Sequence, residues 1–229
     1  MKRYLWCEDS ASGLQFWQAV FRVIHPDIEV VSKKGNTELV KATRNIGNDG
    51  NQYYIIIDTA TDNPNVIREN KRLYSNIKEK ENVAVIEIHS FEFTLLSFKL
   101  LEQWVFAEKD DLKEKRKDFL ADRDVFVDLL QSIDTAESLT VLRDILEKYK
   151  SYNSEQIAAK LLFEITRNTG FQTDKGELGK CFVNDCCTWM ERQEDDICGL
   201  DDKKIDAKEK IRILIDQSVL KEAFRKVDL

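Results

Sequence analysis

The sequence predicts an α/β protein, in which a parallel sheet flanked by helices is followed by an all-helical C-terminal region. Two observations predict this fold. Strand and helix patterns alternate up to residue 88 in the order β-α-β-α-β-α-β, which is typical of a parallel sheet with right-handed crossovers. Beyond that point apolar residues recur at helical spacing, with no further strand pattern. We therefore predict an α/β domain over residues 1–100 and a helical region over residues 101–229.

Four apolar runs are the predicted strands, and they cover residues 4–7, 28–31, 53–57 and 83–88. The third and fourth runs are continuous and largely β-branched, as expected for strands that are covered on both faces. A helix with Asn65 as its N-cap is predicted between these two strands, over residues 66–80. The helical region is predicted to contain one long helix over residues 91–106, three helices over 110–168, and further helices over 179–190 and 207–227.

Composition and charge exclude several classes of protein. The chain has 229 residues, 42% of them hydrophobic, which is enough to build a sizeable core. Its formal net charge of −7 is unlike that of a dedicated nucleic-acid-binding protein, so a nucleic-acid partner needs a local basic patch or a metal. A partner protein and a second copy of the chain remain open as partners. No apolar run has the ~18 residues of a membrane span, so no membrane partner is expected.

The five cysteines and the lack of an export signal predict a cytoplasmic protein with reduced or metal-bound thiols. Four of the cysteines lie late in the chain and are candidates for a structural Zn²⁺ site, namely Cys181, Cys186, Cys187 and Cys198. They contain no Cys-x-x-Cys pair, which zinc sites usually have. Because cysteine is among the most often buried residues, buried reduced thiols are the favoured interpretation.

Acidic residues end two of the predicted strands. Glu8 directly follows the first strand, and Asp58 directly follows the third. The carboxyl ends of parallel strands share one edge of the sheet, where ligands collect. Carboxylates at such an edge are suitable ligands for Mg²⁺ or Mn²⁺. Asp62 lies four residues after Asp58 and can fold back toward it, although taken alone it is better explained as a turn residue.

A further pair, His89 and Glu92, follows the fourth strand at a spacing that places both side chains on one helix face. One interpretation is that they join the site at this edge. The other is that they belong to a helix start, where Glu92 in the first turn is favoured by the helix dipole. The sequence leaves both open.

The order of these motifs resembles the Toprim domain, the catalytic fold of topoisomerases, bacterial primases and OLD-type nucleases. In that family a glutamate follows the first strand, and an Asp-x-Asp motif follows a later hydrophobic strand. The matching stretches here are YLWCEDSASG at residues 4–13 and YYIIIDTATD at residues 53–62. The stretch EIHSFE at residues 87–92 is similar to the His-x-x-Glu that opens a helix in stand-alone Toprim proteins of phage defence. The resemblance covers roughly residues 3–100.

The resemblance implies a divalent-metal-dependent nuclease or a related phosphoryl-transfer enzyme, with a role in phage defence. Asp58 would bind the metal with help from Asp62 or Glu92, and Glu8 would bind metal or act as general base. Two positions depart from the family pattern. Asp9 replaces the glycine that follows the glutamate, and Ala60 replaces the second aspartate.

Basic residues near the same strands are candidates for contacting a substrate phosphate. They are Lys33, Lys34 and Lys41, and His89 is a further candidate substrate contact. A second hypothesis takes the chain as a catalytically degenerate Toprim-like module that binds a partner protein or a nucleotide. Ala60 and the acidic balance favour this second hypothesis. Both hypotheses rest on analogy at the level of the fold.

Overall fold

The computed structural model describes six parts of the chain, which are residues 1–108, 111–132, 136–171, 180–186, 198–201 and 203–229. Within these residues the fold is α/β, with a four-stranded parallel sheet flanked by helices and then helices alone. The predicted alternation of strands and helices up to residue 88 is confirmed. No helix in the described residues is long and apolar enough to cross a membrane.

The strands of the sheet are β1 (Arg3–Cys7), β2 (Ile28–Ser32), β3 (Gln52–Asp58) and β4 (Val83–Ile88). Their order is β2-β1-β3-β4, and each neighbouring pair is parallel. β1 and β3 are therefore adjacent, with Tyr4 opposite Tyr53 and Trp6 opposite Ile55. All four strands consequently end at one edge of the sheet, and the residues that follow β1 and β3 are neighbours there.

Three helices connect the strands, namely α1 (Ala11–Ile24), α2 (Asn36–Arg44) and α3 (Pro64–Ile77). The predicted start of α3 is wrong by two residues. Asn63 is the N-cap, and its side-chain oxygen accepts a hydrogen bond from the Asn65 backbone N–H at 3.1 Å. Pro64 opens the helix, where proline loses nothing because the first N–H groups of a helix have no internal partner.

The remaining helices are α4 (Phe91–Leu96), α5 (Leu101–Val105), α6 (Leu112–Lys115), α7 (Lys117–Ser132), α8 (Ala136–Ile145), α9 (Ser154–Thr166), α10 (Lys180–Val183), α11 (Ala207–Asp216) and α12 (Leu220–Arg225). The prediction of one helix over residues 91–106 is wrong, since the chain turns between α4 and α5. A tertiary hydrogen bond holds this turn, in which the Lys99 N–H donates to the Gln217 carbonyl at 2.8 Å. The predicted extent of the helix over residues 179–190 is wrong, since α10 ends at Val183 and residues 184–186 are not helical. Residues 179 and 187–190 lie outside the described residues.

The helical region packs directly on the sheet. One large hydrophobic cluster joins Leu5 of β1 and Phe21 of α1 to Leu161 of α9 and Phe224 of α12. The rings of Phe21 and Phe224 lie 5.6 Å apart, edge to face. A smaller cluster fills the opposite face of the sheet, beneath α2 and α3. Because the two halves share a core, helices from the second half can bring side chains to the edge where the strands end.

Candidate functional site

Glu8 and Asp58 lie at the same edge of the sheet. Glu8 is the first residue after β1, and Asp58 is the last residue of the adjacent strand β3. The preceding residues, Cys7 and Ile57, are buried in the core on the two faces of the sheet. This placement agrees with the prediction from the strand pattern, while the metal-binding role stays a prediction.

Three further carboxylates act electrostatically on this pair, namely Asp9, Glu92 in the first turn of α4 and Glu155 in the first turn of α9. Burial raises the pKa of Glu8 to about 7, and the charges of these three add to the effect. Burial also raises the pKa of Asp58 well above its usual range, followed by the charge of Glu8. We call Glu8, Asp9, Asp58, Glu92 and Glu155 the acidic cluster.

Glu8 and Asp58 are the members of the acidic cluster that lack protein partners. Neither carboxylate accepts a hydrogen bond from a described residue, and no described lysine or arginine forms an ion pair with either one. Partly buried like charges without donors are costly, because both burial and mutual repulsion disfavour the ionised forms. A divalent cation bound between them would offset both effects.

Asp9 has a structural role in the start of α1. Its Oδ2 accepts a hydrogen bond from Trp17 Nε1 at 2.8 Å, and its carbonyl accepts one from Ser32 Oγ at 2.5 Å. Gly13 packs against the same side chain, since a Cβ there would lie 2.6 Å from Asp9 Oδ1. Asp9 therefore ties α1 to β2, and it adds charge to the acidic cluster while its own oxygens face protein.

Glu155 is a member that sequence reasoning missed. It comes from the helical region, and its Oε2 accepts a hydrogen bond from Asn63 Nδ2 at 2.6 Å. The sequence carried one usable signal, the capping box formed by Asn153 and Gln156, which fixes Glu155 in the first turn of α9. Nothing local indicates that this turn packs against the edge of the sheet.

Asp62 is predicted to bind a metal, but in the structure its carboxylate is bonded to protein groups. Its carboxylate accepts hydrogen bonds from Arg143 Nη2 at 2.5 Å, from the Ser154 N–H at 2.8 Å and from Ser154 Oγ at 2.6 Å. The side chain is 8% exposed. Asp62 thus anchors the loop after β3 to α8 and α9. Its oxygens are engaged by these donors, which disfavours Asp62 as a metal ligand.

We predict that Asp62→Ala lowers the free energy of unfolding by about 3 kcal/mol, because it leaves Arg143 and two Ser154 donors without an acceptor. Asp62→Asn keeps one acceptor oxygen and should cost less. Guanidinium denaturation measures both. A loss below about 1 kcal/mol for Asp62→Ala, or weaker Mn²⁺ binding by a fully folded Asp62→Asn, would contradict the anchoring role.

His89 and Glu92 have separate surroundings. Ser90 caps α4, and its hydroxyl accepts a hydrogen bond from the Phe93 N–H at 3.1 Å. Glu92 therefore lies in the first turn of α4. It is also a member of the acidic cluster, so the two interpretations of Glu92 are compatible. His89 packs edge-on against the Phe93 ring at 5.1 Å. Burial lowers the pKa of His89 to about 4, which leaves the imidazole neutral at pH 7. Its Nε2 has no hydrogen-bond partner in the described residues.

The three candidate phosphate-binding lysines differ in how far they are engaged. The Lys33 ammonium lies 3.6 Å from the centroid of the Trp6 ring, and burial lowers its pKa. Lys41 forms an ion pair with Glu38 at 2.6 Å. Lys34 is exposed and follows β2 at the edge that carries the acidic cluster. Lys34 is therefore the best placed of the three to contact a phosphate.

The zinc prediction falls partly outside the described residues, because Cys187 lies there. Cys181, Cys186 and Cys198 are partly buried against the main hydrophobic cluster. Cys198 Sγ contacts Asp201 Oδ1 at 3.5 Å. These contacts fit packed thiols, and the three described cysteines are not part of any group of three or more possible ligand side chains that could hold a metal.

The donor set of the acidic cluster fits a hard cation. In the described part of the chain, no group of three or more His, Cys, Asp or Glu side chains is already arranged to hold a metal ion. Mg²⁺ takes one or two carboxylates and keeps several waters, so the two carboxylates of Glu8 and Asp58 suffice chemically. An all-oxygen set without thiolate or imidazole favours Mg²⁺ or Mn²⁺ over zinc.

Comparisons of the chain with protein-family models, with curated proteins and with solved structures found no match. The protein is therefore classified by its fold and by its candidate site. It is an α/β protein with a parallel sheet, and an acidic cluster drawn from both halves of the chain lies at the carboxyl edge of that sheet.

Proposed function

We propose that this protein is a divalent-metal-dependent nuclease, or a related phosphoryl-transfer enzyme, of the Toprim type. One observation carries the proposal. Adjacent parallel strands bring Glu8 and Asp58 to one edge, where neither has a protein donor and where burial, together with the charges of further acids, raises the pKa of both. Strongly shifted carboxylates grouped in this way are typical of functional sites. The order of the motifs around Glu8, Asp58 and Glu92, which resembles the Toprim family, supports the same reaction class.

In the proposed mechanism Asp58 holds the metal, with Glu92 in support. The bound Mg²⁺ or Mn²⁺ supplies polarisation of the phosphate and offsets the charge that develops on it. Glu8 accepts the proton of the attacking water or hydroxyl as the attacking oxygen bonds to phosphorus. The bond from phosphorus to the leaving oxygen breaks, and that oxygen takes a proton from solvent. A general base works best when its pKa is near the working pH, and burial raises the pKa of Glu8 to about 7. Glu155 reinforces the negative potential that attracts the metal.

The proposed substrate is a nucleic-acid backbone. The net charge of −7 opposes such a partner, so attraction must come from the metal and from local basic groups. Of the three candidate lysines, Lys34 is the best placed for this role, since it is exposed and lies at the edge that carries the acidic cluster. A role in phage defence is proposed from the family resemblance alone.

We predict that the purified chain cleaves plasmid DNA or a structured RNA with Mg²⁺ or Mn²⁺ and cleaves neither in EDTA. Both substrates are incubated with each metal across neutral pH, and products are separated on gels. Lys34→Gln should weaken cleavage by about tenfold through KM, while the paired Lys41→Gln serves as a matched control. Absence of cleavage with either metal, or equal cleavage in EDTA, would contradict the proposal.

One observation favours the second candidate function, a catalytically degenerate module that binds a partner protein or a nucleotide. Ala60 stands where the family has its second aspartate, and its side chain is 1% exposed. Asp62 does not take over, because Arg143 and Ser154 occupy its oxygens. Binding of a partner or nucleotide without any metal-dependent turnover would distinguish this function from the first.

A further inference from the structure

A cavity lies beside the edge strand β4, and its lining includes Thr59 and Phe93, which directly follow Asp58 and Glu92 in the chain. Its volume is about 460 Å³, which is within the range of small-molecule sites. The walls come from the end of β4, the loop after β3, α4, α7 and the turn into α12, so both halves of the chain contribute. None of the five carboxylates of the acidic cluster lines this cavity.

The wall carries two carboxylates and two lysines, and they differ in how far they are engaged. Its two carboxylates are already bonded from outside the wall, since Glu87 accepts from a tyrosine hydroxyl and both oxygens of Glu222 accept from Arg225, at 2.8 and 2.7 Å. Lys99 and Lys226 also line the cavity. No described residue forms an ion pair with either lysine, although Lys226 lies near Glu222. The two lysines are therefore the charged groups of the wall that can contact an anionic ligand.

Aromatic and polar groups line the rest of the wall. The His89 and Phe93 rings meet edge to face at 5.1 Å, and both line the cavity. His89 Nε2 is shielded from solvent and has no hydrogen-bond partner in the described residues. A shielded polar atom of this kind is costly unless a ligand or a water pairs with it. The side-chain amides of Gln131 and Gln217 add groups that can both donate and accept.

We propose that this cavity binds a small organic phosphate of mononucleotide size, with Lys99 and Lys226 on the phosphate and with His89 and the two amides on the polar ring system. Two lysines suit a phosphate, and an aromatic wall with amides suits a planar heterocycle. The proposal does not depend on the metal centre, because the two sites share no side chain.

Calorimetric titration of the full chain in EDTA tests this site. The probes are AMP, GMP, CMP and UMP, with inorganic phosphate and adenosine as partial ligands. At least one mononucleotide is expected to bind in the micromolar range and more tightly than either partial ligand. Lys99→Gln and Lys226→Gln should each weaken this binding by about tenfold, and His89→Phe by about threefold to tenfold. Lys221→Gln lies in α12, which ends just before Lys226, but Lys221 pairs with Asp216, so this variant should leave the affinity unchanged.

Three results would overturn the proposal. One is that no mononucleotide binds at millimolar concentration to protein with a native circular-dichroism spectrum. Another is binding that both lysine variants leave unchanged, or that inorganic phosphate matches in affinity. The third is binding that needs Mg²⁺ and disappears in Asp58→Asn, because this would place the ligand in the acidic cluster. The nuclease proposal stands or falls separately, since the titration is made without metal.

Discussion

Asp58→Asn is expected to lower metal-dependent cleavage by about 1000-fold, which is the effect of removing one preorganised electrostatic group from an active site. The amide keeps the size of the side chain and removes the charge that would hold the metal. The fold should survive, because the Asp58 carboxylate accepts no hydrogen bond from a described residue. The Asp58 carbonyl, which accepts from Asn70 Nδ2 at 2.7 Å, is unchanged by the substitution.

The same substitution should stabilise the metal-free protein. Burial and the neighbouring acids raise the pKa of Asp58 well above its usual range, so the folded state disfavours its charge. Removing the charge relieves this cost, and each kcal/mol regained raises Tm by roughly 2–4 °C for a chain of this size. Loss of activity together with a gain in stability is typical of residues retained for function.

Asp124→Asn is the matched control. Asp124 is exposed and pairs with Arg123 at 2.8 Å, away from the acidic cluster. It should keep full cleavage and nearly unchanged stability. Gel assays and thermal unfolding in EDTA measure the two effects. If Asp58→Asn cleaves like the wild type, or unfolds at a lower temperature without metal, Asp58 is not the metal-binding residue described above.

Glu8→Gln is expected to change how the stability of the metal-free protein depends on pH. Glutamate in an unfolded chain has a pKa of about 4.3, whereas burial raises that of Glu8 in the folded chain to about 7. Below about pH 4 both states hold the proton. As pH rises to about 7, the unfolded state releases a proton that the folded state keeps, so the wild type loses stability. The loss reaches about 3–4 kcal/mol above pH 7, since each pKa unit corresponds to about 1.4 kcal/mol.

The variant lacks this titration, so its advantage in unfolding free energy over the wild type should grow from near zero at about pH 4 to about 3–4 kcal/mol at about pH 8. His89 titrates in the opposite sense. Burial lowers its folded pKa to about 4, so it contributes stability that is lost as pH falls from about 6.5 toward 4. The contribution of His89 is present in both proteins and cancels in the difference.

Denaturant titrations in EDTA at several pH values measure this difference. Glu147→Gln is the control, since Glu147 is 82% exposed and pairs with the exposed Lys150. Its difference from the wild type should stay near zero at every pH. A Glu8→Gln difference that is independent of pH would show that Glu8 titrates normally, and would remove it as a general base poised near neutrality.

The sheet and its carboxyl edge could be predicted because they depend on local pattern. The continuous apolar runs of β3 and β4 indicate strands covered on both faces, and the acids that end β1 and β3 then fall at one edge. The predicted start of α3 is wrong by two residues, although the sequence carries the correct signal. Asn63 followed by Pro64 is a local pattern that is typical of an N-cap and the first helical residue.

The missed parts of the site depend on long-range packing. Asp62 bonds to residues 81 and 92 positions later in the chain, which no local pattern reveals. Glu155 reaches the acidic cluster only because α9 packs against α4. The break between α4 and α5 likewise follows from the hydrogen bond between Lys99 and Gln217. Metal binding and catalysis stay predictions, because they depend on groups beyond the chain itself.

Titration of Mn²⁺ into the metal-free protein tests the central claim most directly, namely that Asp58 of the acidic cluster holds a divalent cation. Calorimetry should show one or two ions bound with a Kd below about 1 mM, and binding at least about tenfold weaker in Asp58→Asn but unchanged in Asp124→Asn. No binding of Mn²⁺ at millimolar concentration, or equal binding by wild type and Asp58→Asn, would contradict it.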